Sequence, residues 1–272
     1  MARLGVALKE ELHGGHQSRV YRVNEVNSPA ASDLVIKLIG VDPTRRDLAI
    51  ARLRVRNEVA GIDDRVVPIV ALAGRKLNRI GDALVAASPY IDGAPLDLTQ
   101  RPDVERMARA LARLHESLRL VRVELPPLEA LRVGDQRATL TENHQLLHGD
   151  FGGGNVLADH DGRLWILDFD DCGYGPVEFE LGNSLFMALF DTSASLNQPS
   201  AEYEQFRRWF LGAYQSAAEH PISEEVVDVA VNVRGAALRY WLHHLDEAPP
   251  GIRDASPTWH QKLGAFAGIM LR

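Results

Sequence analysis

Across SPYIDGAPLD, residues 88 to 97, the apolar pattern of this 272-residue chain changes its period, and no other feature restricts the architecture as much. The two prolines and the glycine of that stretch mark it as a connector. Before it, Val20, Tyr21, Val23 and Val26 in SRVYRVNEV mark one strand and DLVIKLIG from Asp33 a second, joined through SPAAS as an antiparallel hairpin. A helix is expected from about Asp47 to Ala60, carrying Leu48, Ala51, Leu53, Val55 and Val59 on its apolar face and stopped by Gly61. Further strands are expected around Ile69–Ala73 and Ala83–Ala87. Beyond the connector the spacing turns helical: Val104, Met107, Leu111, Leu114 and Leu118 form one stripe, and helices suit 201 to 218 and 224 to 246. The pattern predicts an α+β chain, with a small antiparallel sheet and one helix over 1–90 and a larger, mainly helical part over 91–272.

Composition narrows the function. Hydrophobic residues at 46% and charged residues at 25% are ordinary for a folded chain with a sizeable core. The formal charge of −7 disfavours nucleic acid as a partner, since binding a phosphate backbone needs a basic face. A single cysteine, Cys172, permits no internal disulfide, and neither a signal-peptide core nor an apolar run of membrane-spanning length is present, so a cytoplasmic protein without a membrane role is expected. Only four of the 30 basic residues are lysines, which draws attention to each of them.

Chemistry concentrates in LLHGDFGGGNVLADHDGRLWILDFDD, which reads as loop, strand, turn, strand. Asp150 and Asn155 stand five residues apart across Gly152-Gly153-Gly154, so one loop can turn both side chains to one site. Thirteen residues after Asn155, Asp168 follows the apolar strand Leu164-Trp165-Ile166-Leu167. Oxygen donors of this kind suit Mg²⁺, which takes one or two protein oxygens together with phosphate oxygens and water. Asp150, Asn155 and Asp168 therefore read as a metal–phosphate site with one carboxylate left to orient a nucleophile. Between Asp150 and Glu180 the net charge is −7, and the rest of the chain cancels. Such a field needs a divalent cation before it holds a polyphosphate, and it attracts a positively charged acceptor.

Through HGDFGGGNVL and LDFD the sequence resembles the aminoglycoside phosphotransferase and choline kinase family, with its protein-kinase-like, two-lobed fold. The resemblance implies that Asp150 accepts or orients the acceptor hydroxyl, that Asn155 and Asp168 hold Mg²⁺ on the phosphates of ATP, and that His148 braces the catalytic loop. It implies further that Lys37 reaches the α- and β-phosphates and pairs with Glu58, 21 residues on. Gly14, Gly15 and Ser18 would cover the phosphates, although this loop departs from GxGxxG, and a hinge near 87–93 would set adenine against Ala87 to Tyr90.

After DFDD the chain enters an apolar helix-like run without a long activation segment or an APE motif, which favours a small hydroxyl-bearing acceptor over a protein. Asp171, Glu178 and Glu180 are the acids placed to contact a cationic acceptor, with Glu180 equally suited to brace the loop. An aminoglycoside-like antibiotic is the leading acceptor. A metabolite kinase of choline, homoserine or methylthioribose type, a catalytically silent nucleotide-binding module and a metal-dependent hydrolase are the alternatives. Other features have plainer readings: His115 as a packed helix histidine, Tyr203, Phe206, Phe210 and Tyr214 as core, and His243, His244, Asp246 and Glu247 as a solvated helix end.

Overall fold

The computed structural model describes residues 4–12, 18–25, 33–40, 45–128, 131 and 144–270. Five strands, β1 (Val6–Leu12), β2 (Ser18–Glu25), β3 (Asp33–Gly40), β4 (Leu77–Ile80) and β5 (Ala83–Pro89), form one antiparallel sheet in the order β1-β2-β3-β5-β4. The expected hairpin pairs β2 with β3, and Lys37 stands opposite Val20 on one side and Ala86 on the other. Its SPAAS turn lies outside the described residues. Alternation divides β3 between two environments. Leu34 and Ile36 pack with Val23, Val85 and Ala87, whereas Val35 and Lys37 line a cleft.

Helix α1 (Arg46–Val59) follows the sheet's third strand, and its Leu53 packs with Ile39, Leu84 and Ala86. The strand expected over Ile69–Ala73 does not form. Val70 and Leu72 make only single bridges, to Ala87 and Arg75, because Ala73 and Gly74 both take positive φ and turn the chain. The ladder falls instead to β4, which reaches β5 across Gly81-Asp82.

Past the connector, β6 (Gly93–Pro95) pairs with β8 (Val156–Asp159), and β8 with β9 (Leu164–Ile166), while β7 (His144–Leu147) pairs with β10 (Gly173–Pro176). Around these short ladders stand α2 (Arg101–Leu120), α3 (Val177–Thr192), α4 (Ala201–Ala217), α5 (Glu224–His243), α6 (Pro250–Arg253) and α7 (Pro257–Ala267). The whole predicted α2 stripe is buried, as are Tyr203, Phe206, Phe210 and Tyr214 of α4, within one large core. Among the described residues no helix is long and apolar enough to cross a membrane.

Helices α3 and α5 are in tight contact at Gly182, where an added Cβ would lie 2.5 Å from Ala230 Cβ. This contact bears on the HGDFGGGN segment, because α3 supports that loop and α5 walls the cavity beside it. Gly182→Val should separate the helices and cost about 1–3 kcal/mol, measured as a lower urea midpoint at constant m-value.

Candidate active site

The loop after β7 is held from beneath by a buried acid. Glu180, in the first turn of α3, accepts hydrogen bonds from the backbone amides of His148 and Gly149 and from His115 Nε2 at 2.8 Å. Tyr214 Oη lies 2.7 Å from His115 Nδ1, so α2, α3 and α4 converge under one turn of backbone. Burial alone would push the Glu180 carboxyl up, but the bond and charge of His115, with the charge of His148 and the Gly149 amide, together leave it below the usual glutamate value. One turn further along α3, Ser184 Oγ donates to the carbonyl of Phe151.

This anchoring demands glycine at 149. Its φ is +87°, and a Cβ there would stand 2.2 Å from the Asp171 carbonyl oxygen. His148 is fully buried against Phe151 and Phe169, and its Nε2 donates to Leu167 O at 2.7 Å. It braces the loop, as its place in the motif implied. The following Asp150 is gripped by Asn155 Nδ2, which donates to its carbonyl at 2.8 Å and to its carboxylate at 3.0 Å.

Across the cleft, Lys37 Nζ contacts Asp168 at 2.7 and 2.8 Å and Asp170 at 2.8 Å. Burial opposes the Lys37 charge, yet Asp168 and Asp170 together hold its pKa above the ordinary value. For Asp168, burial pushes up while Lys37, by charge and hydrogen bond, pulls further down, leaving the carboxyl below its usual range. Asp168 also has a φ of 53°, a left-handed conformation that aspartate tolerates at about 1 kcal/mol and that turns the chain sharply after the apolar strand. Asp150 and Asp170 are pushed up by burial first, and each is raised further by the charge of Asp168. The group therefore carries more carboxylate than its lysine compensates. Together with the carboxamide of Asn155, this hard-oxygen set fits a divalent cation such as Mg²⁺.

The cleft encloses about 900 Å³ and brings Lys37, Asp150, Asn155 and Asp168 together with Gly152–Gly154 and the hinge segment Ser88–Ile91. Several expectations need correction. Glu58 does not meet Lys37: it is exposed on α1, one turn from exposed Arg54, whereas Val55, Arg56 and Val59 face inward. The residue that α1 delivers to the cleft is Arg56, whose Nε donates to Val67 O at 2.8 Å and Nη2 to Ser88 Oγ at 2.7 Å. Ala87 is buried inside the sheet, its carbonyl taken by the Val70 amide. Tyr90 lines the cleft, but its amide donates to Asp33 O and its ring lies 3.9 Å from the Arg22 guanidinium. Gly14 and Gly15 lie outside the described residues, and Ser18 opens β2 opposite Ile39.

A second cavity of about 160 Å³ opens on the other side of Asp150, lined by Arg52, Asp171, Arg234, Trp241 and Ile252. Of the three acids expected at an acceptor, only Asp171 is there. Glu180 is consumed in the brace, and Glu178 lines neither cavity. Arg234 escaped sequence reading because it is one of 26 arginines in the chain, on a helix without a motif around it. His243, His244, Asp246 and Glu247 form no metal cluster: His244 Nδ1 meets Tyr240 O and Glu247 accepts from Tyr240 Oη.

The fold is protein-kinase-like. It superimposes on an amicoumacin kinase solved with AMP-PNP and Ca²⁺ (TM-score 0.70, 16% identity, covering 97% of this chain and 87% of that one). An aminoglycoside phosphotransferase from Alicyclobacillus acidocaldarius gives a TM-score of 0.59 at 15% identity over 96% and 91% of the two chains. A choline kinase from Cryptosporidium parvum gives 0.58 at 12% identity over 95% and 88%. Within that class, residues 116–220, which hold Asp150, Asn155 and Asp168, match the phosphotransferase enzyme family, so the resemblance carried by HGDFGGGNVL and LDFD holds. The chain is also 30% identical over 166 residues to curated proteins named GTPase Era from Mycobacterium sp. strains KMS and MCS, a match over 57% of this chain, and it spans about half the length of those relatives. The GxxxxGK[ST] phosphate loop of P-loop NTPases does not occur in this sequence.

Asp171 gives the site a pH signature. Burial, and then the charge of Asp150, push its carboxyl up to about 7, with Arg52 opposing. Folded protein thus binds this proton more tightly than the unfolded chain does between pH about 4 and 7, and stability falls as pH rises through that window. Asp171→Asn removes the slope, so its stability advantage over the parent should be larger at pH 8 than at pH 5, by up to roughly 2.5 kcal/mol in urea denaturation. In the same assay Gly149→Ala should lose more than about 2 kcal/mol at either pH.

Proposed function

We propose that this protein is an ATP-dependent phosphotransferase that moves the γ-phosphoryl group to a hydroxyl of a small molecule. The observation that carries the reading is the convergence of Asp150, Asn155, Asp168 and Lys37 on one cleft, with Asp150 also opening onto a separate cavity of about 160 Å³.

The roles follow from the placement. The nucleotide lies under β1 and β2, with its base against Ser88–Ile91. Ile91 lines the cleft at the end of that segment, and its backbone is the hinge group offered to the base. Lys37 moves from its carboxylates to the phosphates, whose charge replaces theirs. Asn155 and Asp168 hold Mg²⁺, which when bound neutralises the phosphate oxygens and stabilises the leaving diphosphate. Asp150, fixed by Asn155, accepts a hydrogen bond from the acceptor hydroxyl and orients its oxygen for in-line attack. A new O–P bond forms as the bond between the γ-phosphorus and the β,γ-bridging oxygen breaks. ADP departs, and the hydroxyl proton passes to Asp150 and then to solvent.

The acceptor is read as an amine-bearing alcohol, with an aminoglycoside-like ring as the leading member and metabolite alcohols second. The argument from charge now rests on Asp150 and Asp171. On this reading the protein works without nucleic acid or membrane, in the cytoplasm, with a lobe boundary near 87–93.

A panel of amine-bearing alcohols assayed for ADP release tests the proposal. Asp150→Asn should lower kcat by at least about a hundredfold while nucleotide affinity stays within a fewfold. Unchanged turnover in that variant would sink the assignment. Chelation of divalent cations should abolish ADP release, and added Mg²⁺ should restore it.

A further inference from the structure

The cavity beside Asp150 contains a feature that an amine-binding pocket does not need. Arg234, near the middle of α5, is held in a fixed pose. Its Nε donates to Asn183 Oδ1 of α3 at 2.8 Å, and its guanidinium lies 5.6 Å from the Phe186 ring centroid and 5.2 Å from that of Trp241. Its Nη1 is buried with no hydrogen-bond partner. Among the described residues Arg234 makes no ion pair, although Asp150 and Asp171 lie near enough for their charges to act on it. Arg52 joins it in the cavity wall, its Nε directed to Cys172 O at 3.0 Å.

A buried guanidinium with an unmet donor costs of order 1–3 kcal/mol unless something completes it. Balancing Asp150 and Asp171 requires only a positive charge, for which orientation is immaterial. Here two aromatic rings and an asparagine fix the plane of a planar donor fork at the edge of a cavity next to the reacting carboxylate. Planar forks match carboxylates, to which they donate two parallel hydrogen bonds. A phosphate dianion fits less well, because Asp150 and Asp171 share the same small space.

We propose that the acceptor carries a carboxylate beside its reactive hydroxyl, bound by Arg234, so that the substrate is a hydroxy acid or hydroxy amino acid, free or as the end of a larger molecule. The inference rests on the phosphotransferase reading and moves its acceptor from the aminoglycoside-like ring, which carries no carboxylate, to the smaller metabolite alcohols: Arg234 takes the carboxylate, Asp171 an amine where one is present, and Asp150 the hydroxyl. The volume agrees. About 160 Å³ corresponds to roughly five water volumes, the scale of a three- or four-carbon hydroxy acid.

The test uses matched acceptors that differ by the carboxylate alone: L-serine against ethanolamine, L-threonine against 1-aminopropan-2-ol, and D-glycerate against ethylene glycol. ADP release is followed with Mg²⁺ and ATP, and binding to the protein loaded with a non-hydrolysable ATP analogue is measured by calorimetry. The acid of a pair should show at least a tenfold higher kcat/KM. Arg234→Gln should raise KM for the acid at least tenfold more than it changes KM for the decarboxylated partner, shift KM for ATP less than either, and keep the melting temperature within a few degrees. Arg234→Lys, which retains charge but not the fork, should recover only part of the loss. Equal use of both members of every pair, an equal loss for both in Arg234→Gln, or absence of binding by all three acids overturns the inference. If the decarboxylated alcohols are phosphorylated and Asp150→Asn stops them, the phosphotransferase reading survives that failure. If the nucleotide itself does not bind, both fall.

Discussion

The arrangement of this active site depends on one buried carboxylate. Glu180 is taken out of water, which is unfavourable for an ion unless its lone pairs are filled, and they are filled by two catalytic-loop amides and His115. The same bonds that make burial tolerable decide where Asp150 stands. Because His115 also meets Tyr214, the loop is referenced to α2, α3 and α4 together. The plainer reading of His115 as a packed helix histidine is correct about its burial and incomplete about its consequence: it is a positioning residue.

Opposite that brace lies a second, looser electrostatic unit. Lys37 is shared between Asp168 and Asp170, and more carboxylate is gathered around it than one lysine can balance. Asp150, Asp170 and Asp171 are pushed up by burial first, and neighbouring carboxylates raise each of them further. On the proposed phosphotransferase reading the braced loop and the under-compensated charge cluster complement each other, the first setting the attacking geometry and the second being relieved by a cation and a phosphate chain. On the acceptor side the balance changes. Arg52 and Arg234 face Asp150 and Asp171, so a cavity that the charge of the segment presented as acidic is amphoteric in three dimensions.

Much of the site was legible because its residues are close in sequence and sit in a context only a few chemistries use. Asp150, Asn155 and Asp168 fall within nineteen consecutive residues, and a loop followed by a short hairpin brings them together almost regardless of the surrounding fold. Lys37 was legible through the resemblance and as one of only four lysines, and strand alternation places it with Val35 on the cleft face. Elements missed had weaker periodic signals but recognisable punctuation: Gly81-Asp82 turns β4 into β5, and Ser256 before Pro257 caps α7, accepting from the Trp259 amide.

The sequence by itself determined the class of fold, the catalytic segment and the location of the negative charge, because periodicity and short-range spacing are properties of neighbouring residues. Tertiary structure alone decided which face of α1 meets the cleft, so that Arg56 arrives there and Glu58 does not. It also decided that Ala87 is sealed within the sheet, that Glu180 is a brace, and that Arg234 stands beside Asp150. The physical reason is common to all of them. Helical phase and helix packing join residues far apart in the chain, and a charge acquires its role from what surrounds it after burial, which no local pattern specifies.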